Sequence, residues 1–220
     1  MKLLEKILIM IFIATSPVLA DDELEEEPAT LFGSYEIESG GYGAFEMHTG
    51  RVMTDEWGLF LGGKGGWVIN STFTIGGGGY GLVTMHELEG FEHIDTEKYD
   101  KVNIFMGWGG LMLEYTHRSY DMIHFTGDVI FGWGGVLAVG TMHGDTEINT
   151  ENEITNDVFM MFQPGGRIEV NFYRWFRIGI GAIYRMPIGI DLKDGQGTVY
   201  ATDNDFEGIA YSITFKFGLF

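Results

Sequence analysis

From Ile209 to Leu219 the chain alternates without interruption: Ile209, Tyr211, Ile213, Phe215, Phe217 and Leu219 form one row, and Ala210, Ser212, Thr214, Lys216 and Gly218 the other. Successive side chains of an extended strand point to opposite faces, so this period of two gives one lipid-ready face and one polar or small face. The period recurs in eight segments, at 34–49, 56–69, 72–86, 102–116, 122–142, 157–172, 176–190 and 207–220. A strand crossing a bilayer needs about 9–11 residues, and a closed cylinder of strands satisfies every backbone group. The pattern therefore predicts an all-β fold, an eight-stranded antiparallel up-and-down transmembrane β-barrel over 34–220.

The joints alternate too. Asn70-Ser71, His117 to Asp121 and Tyr173 to Trp175 are short, whereas 87–101, 143–156 and 191–206 are long and Gly50 to Asp55 is intermediate. Bacterial outer-membrane barrels keep short turns in the periplasm and long loops outside, so the alternation predicts an integral outer-membrane protein with both ends of the barrel inside. In the second segment Trp57, Leu59, Leu61, Gly63, Gly65, Trp67 and Ile69 share the outward row, with Lys64 opposite. At about 3.3 Å per residue and a tilt near 45°, Trp57 and Trp67 stand about 23 Å apart along the membrane normal, the spacing of two aromatic girdles. A soluble sandwich would have to hide the other apolar faces as well.

Ahead of the barrel, residues 1–20 read as a secretory signal peptide: Lys2 and Lys6, then apolar Ile7 to Ala14, then the small-residue site Val18-Leu19-Ala20. Residues 21–33 read as an acidic periplasmic tail that opens Asp21-Asp22-Glu23-Leu24-Glu25-Glu26-Glu27. The absence of cysteine leaves no lipoprotein anchor and no disulfide framework. Glycine, 34 residues against 4 prolines, clusters inside the strands, as in Gly62-Gly63, Gly76 to Gly79 and Gly109-Gly110. Such clusters mark tight coiling or close approach of neighbours. None opens a helix after a strand, which excludes a phosphate-cradling nucleotide loop.

The formal net charge is −19, from 32 acidic and 13 basic residues. The excess lies in the tail and the long connections, whose only bases are Lys98, Lys101 and Lys193. An acidic exterior disfavours nucleic acid, which requires a basic patch. Mg²⁺ or Ca²⁺ can bridge such carboxylates, although no connection has a spaced calcium motif. The lumen row is nearly balanced, with Glu36, Glu38, Glu46, Glu114, Asp128 and Glu169 against Lys64, Arg167, Arg177, Arg185 and Lys216. A pore selective for one ion sign would carry an excess of the other on its walls, whereas a plugged barrel needs its charges paired. The balance predicts a filled, ion-paired interior without large-solute transport.

Two strands share the pattern GYGxxxMH, at Gly41 to His48 and Gly79 to His86. Parity turns Tyr42, Glu46, His48, Tyr80, Thr84 and His86 inward, the histidines at the outer rim. His48 and His86, beside carboxylates, are candidate transition-metal ligands. A third strand ends Thr141-Met142-His143, where His143 turns inward only if Gly140 carries a bulge. His124, Thr126 and Asp128 share one face and hold the groups of an activated hydroxyl. Their periplasmic position, the weak nucleophilicity of threonine and nearby basic partners for Asp128 favour a structural role, so no catalytic residue is assigned.

The stretch Leu61 to Asn70, LGGKGGWVIN, running into Phe73 to Leu82, FTIGGGGYGL, resembles a pattern of uncharacterised outer-membrane β-barrel proteins of Gram-negative bacteria. It covers the second and third strands, and the chain more broadly resembles small eight-stranded outer-membrane barrels. The resemblance implies signal-directed export, chaperoned insertion by the outer-membrane insertion machinery and no cofactor. One departure is that Phe220 falls in the lumen row and Leu219 in the lipid row, where such proteins commonly present a terminal aromatic. The expected role is that of a monomeric, non-enzymatic envelope protein, structural or acting through its acidic loops. Outer-membrane lipid and divalent cations at the loops are its expected partners. A narrow porin-like channel and a lipid-modifying enzyme are the alternatives.

Overall fold

The computed structural model describes residues 39–53, 56–86, 99–142, 153–193, 197 and 199–220. The expected leader, the acidic tail, Glu36, Glu38 and His143 lie outside these residues. The alternating segments form β1 (Ser39–Val52), β2 (Glu56–Ile69), β3 (Phe73–Leu82), β4 (Tyr99–His117), β5 (Ile123–Met142), β6 (Glu153–Tyr173), β7 (Phe176–Ile188) and β10 (Gly208–Leu219). Each pairs antiparallel with its neighbour along the chain, and β1 pairs with β10, Phe45 opposite Phe215, to close an eight-stranded barrel. The third segment leaves the ladder at Leu82 rather than 86, but Val83 N still donates to Leu59 O at 2.9 Å and His86 O accepts from Ile104 N at 3.0 Å.

The period of two is obeyed by burial. Trp57 and Trp67 are 58% and 52% exposed, while Lys64 between them is 5% exposed. Trp57 stacks on Tyr211 at one end of the wall, and Trp175 stacks on Tyr173 and Phe217 at the other. Strands β4, β5 and β6 run for 19, 20 and 21 residues, about twice what the bilayer requires. The surplus projects at the end of the long connections, because β4 begins at Tyr99 while its last partner on β3 is the pair Gly81–Gly107. Strand β5 carries a register shift against β6 between Ala138 and Val139.

Inward glycines make room for inward rings. A Cβ on Gly134 would collide with Gly107 O and lie 2.5 Å from Phe159 Cζ. A Gly134→Val variant is therefore expected to lose about 1–3 kcal/mol, the usual range for overpacking. Its denaturant midpoint in detergent measures this, and an unchanged midpoint would show that the interior has slack.

The third long connection is more ordered than a loop. It forms a hairpin, β8 (Asp191–Lys193) with β9 (Val199–Thr202), followed by the single-turn helix α1 (Asp203–Phe206). Its apolar residues Ile190, Leu192, Ala201 and Phe206 are buried with Phe60, Val102, Ile104, Trp108 and Phe159 in one cluster. Three carboxylates, two of its own and one from β6, hold it there. Asp203 accepts from Gly189 N and Ile190 N at 3.1 and 2.7 Å, Asp157 accepts from Asp191 N at 2.7 Å, and Asp205 accepts from Thr202 N at 2.7 Å. Gly189 and Gly208, with φ of 101° and 145°, bracket the segment in backbone conformations that favour glycine. The third connection thus lays an apolar cap over the long-connection end of the interior, which turns ionic beneath it.

Candidate functional site

Parity on β1, β2, β4, β5, β6 and β10 brings three cations and four carboxylates to one level of the lumen. Lys64 lies 2.9 Å from both Glu46 and Asp128 and 3.9 Å from Glu114. Arg167 pairs with Asp128 and approaches Glu114 at 3.2 Å, Glu46 at 3.6 Å and Glu169 at 3.7 Å. Lys216 bridges Glu114 and Glu169 at 2.8 and 2.7 Å. All seven side chains are buried.

Hydroxyl and imidazole groups add further contacts to two of the carboxylates. Glu46 accepts from Tyr80 Oη and from Thr214 Oγ1, the latter at 2.5 Å, and His48 Nε2 lies 3.3 Å away. Glu169 is met by His124 Nε2 at 3.3 Å. Above this layer Trp108 Nε1 donates to Gln163 Oε1 at 3.1 Å, a pair the sequence reading did not identify. Interlocked charges of both signs leave no wall of one charge for an ion to follow.

Arg177 and Arg185, expected in lumen ion pairs, are corrected by this geometry. Arg177 stacks 3.8 Å from the centre of the Phe220 ring and its Nη2 donates to Ser119 O at 3.3 Å. Arg185 lies 4.4 Å from the Phe60 ring centre, and its Nη2 donates to Arg51 O at 2.5 Å. The reason is level rather than face. Both point inward, but they stand at opposite mouths while the lumen carboxylates are taken by Lys64, Arg167 and Lys216. Phe220 itself turns inward against Tyr42, as its parity requires, while Leu219 faces out.

The rim histidines have separate partners. His48 is held by Glu46 and packs at a tilt against Tyr80, whereas His86 Nδ1 bonds Glu56 and its Nε2 lies 2.7 Å from Thr84 Oγ1. Among the described residues no group of three or more His, Cys, Asp or Glu is arranged to hold a metal ion. Among the described residues, then, His48 and His86 each keep a carboxylate of their own, Glu46 and Glu56. His124, Thr126 and Asp128 do not act as a unit either. His124 faces Glu169, Asp128 is taken by Lys64 and Arg167, and Thr126 Oγ1 has no partner among the described residues.

The sequence reading missed the chain Thr84–His86–Glu56, in which a hydroxyl, an imidazole and a carboxylate line up at the long-connection rim. The Thr-x-His spacing on one row was visible. Glu56 was not, because only the register of β2 against the extension of β3 brings it there. Thr84 Oγ1 also accepts from Leu59 N at 3.0 Å, so the hydroxyl helps to tie these two segments together.

No protein-family model matches the chain, and no curated protein sequence does. Solved structures do. A major outer membrane protein from Thermus thermophilus matches with a TM-score of 0.50 at 9% identity, over 81% of this chain and 99% of that one. Neisserial surface protein A matches with a TM-score of 0.48 at 9% identity, over 82% of this chain and 94% of the other. The N-terminal β-barrel domain of Pseudomonas aeruginosa OprF gives 0.45 at 9% identity, over 82% and 97%. At such identities the likeness is one of fold: this chain has the architecture of small outer-membrane β-barrels.

Proposed function

We propose that this chain is a sealed, non-enzymatic barrel of the outer membrane, which inserts as a monomer and acts as a wall element presenting its acidic connections outward. The observation that carries this reading is the ion-paired layer of Lys64, Arg167 and Lys216 with Glu46, Glu114, Asp128 and Glu169 across the lumen. The apolar cap above it supports the same reading, because a solute would have to displace both. Outer-membrane lipid and the insertion machinery are the partners this role requires, with divalent cations available to screen the acidic surface. A liposome-swelling assay with small sugars tests it: vesicles bearing the protein should swell no faster than empty ones. Swelling graded by solute size would favour the porin-like alternative.

One observation favours a second reading, that of a lipid-modifying hydrolase. A hydroxyl bonded to a histidine that is itself bonded to a carboxylate is the arrangement that activates a nucleophile, and Thr84–His86–Glu56 has it. Incubation with outer-membrane lipid followed by mass spectrometry separates the two. The sealed-wall reading expects no acyl chain to be removed by the unmodified protein. Deacylation that disappears in Thr84→Ala would replace it with the hydrolase.

A further inference from the structure

We infer that the cleft at the short-turn mouth of the barrel is a binding site for the phosphodiester headgroup of a phospholipid, held by Arg177 and Arg174. The cleft has a volume of about 780 Å³ and is lined by Ser119, Asn171, Arg174, Arg177, Leu219 and Phe220, among others. Arg177 is 7% exposed, yet among the described residues its Nε has no hydrogen-bond partner and the guanidinium donates only to a neutral carbonyl, that of Ser119. A buried cation without a contacting counter-ion is costly; among the described residues Lys64, Arg167 and Lys216 each contact a carboxylate, whereas Arg177, like Arg185 at the other mouth, contacts none. Phe220 covers one face of the guanidinium, which leaves its edge to be met by an anion.

The second arginine indicates the direction of approach. Arg174 is exposed on the same wall, in the short connection between β6 and β7. A guanidinium fork matches two phosphate oxygens, so two such groups around one cleft suit a phosphodiester.

The walls indicate that the phosphate comes with acyl chains. Leu219 is 72% exposed on the lipid-facing row, while Phe220 beside it faces the lumen, so the cleft spans the rim from the lipid side to the interior. Tyr120, 77% exposed, stands at its edge, and the stacked Tyr173, Trp175 and Phe217 form the aromatic belt at this end of the wall. Such belts sit at headgroup level. Short turns face the periplasm in these barrels, which makes the lipid one of the inner leaflet. The inference rests on the barrel being membrane-embedded, and it holds equally if the lumen conducts.

The test uses the full chain folded in maltoside micelles, which contain no phosphate. Native mass spectrometry with added phosphatidylglycerol should retain one lipid per barrel. Arg177→Gln should lower retention at least tenfold and Arg174→Gln by a smaller factor. Arg118→Gln, which removes an exposed arginine at the same end outside the cleft, should leave it unchanged. Should Arg177→Gln fail to fold, judged by heat-modifiable mobility, Arg174→Gln and the charge-preserving Arg177→Lys carry the comparison. Millimolar inorganic phosphate should not displace the lipid; if phosphate competes fully, the site is for a free anion and the lipid assignment is wrong. Equal retention by the parent and all variants would show that the micelle surface alone holds the lipid, and would overturn the site.

Discussion

Replacing Arg167 by methionine is expected to cost about 3–5 kcal/mol, the range for removing one member of a buried ion network. Arg167 pairs with Asp128 and is the cation that reaches all four carboxylates, lying 3.2 Å from Glu114, 3.6 Å from Glu46 and 3.7 Å from Glu169. Without it, two lysines face four buried acids, and the methionine offers none of them a donor. Lys216→Met should cost less, because Glu114 and Glu169 would keep Arg167. Urea unfolding of the detergent-folded barrel, followed by the loss of heat-modifiable mobility, reads both. The order Arg167 worse than Lys216 is the specific expectation. Unfolding of both variants at the parent midpoint would mean that water already fills the layer.

The second large effect is expected at the cap. Phe206 is fully buried at the end of α1, in the cluster that joins Leu192 and Ala201 to Phe60 and Phe159. Truncating a buried phenylalanine to alanine typically costs about 3–5 kcal/mol through lost transfer and the cavity left behind. The cap is attached by the glycines at 189 and 208, so the loss should appear as release of the cap rather than unfolding of the wall. Limited proteolysis of Phe206→Ala should cut between Gly189 and Gly208 while the barrel keeps its mobility. Resistance equal to the parent would show that the polar clamps of Asp203, Asp157 and Asp205 are sufficient by themselves.

The wall was legible in the sequence because a bilayer imposes a period of two on every strand that crosses it. Ile209 to Leu219 states that period, and from parity alone Lys64, Glu114, Asp128, Arg167, Glu169 and Lys216 are assigned to the lumen. Parity gives the face but not the level. Level depends on how far each strand slides along its neighbour, which no single strand encodes, so Arg177 and Arg185 look identical in kind to Arg167 until the register is known. The same gap hid Glu56 beside His86. The cap was missed for a different reason. Three-residue and four-residue strands are too short to show a period, and the acids at 191–206 read as solvated charge when two of them, Asp203 and Asp205, are acceptors for backbone N–H groups.

Single-channel recording in a planar bilayer tests the sealed lumen most directly. The purified barrel, at neutral pH and high salt with voltage of either sign, should add no conductance steps to the bare membrane. The variant that lacks Arg167 should insert without opening a pore, because the apolar cap still covers the long-connection end. Steady, reproducible steps from the unmodified protein would contradict a lumen closed by paired charge.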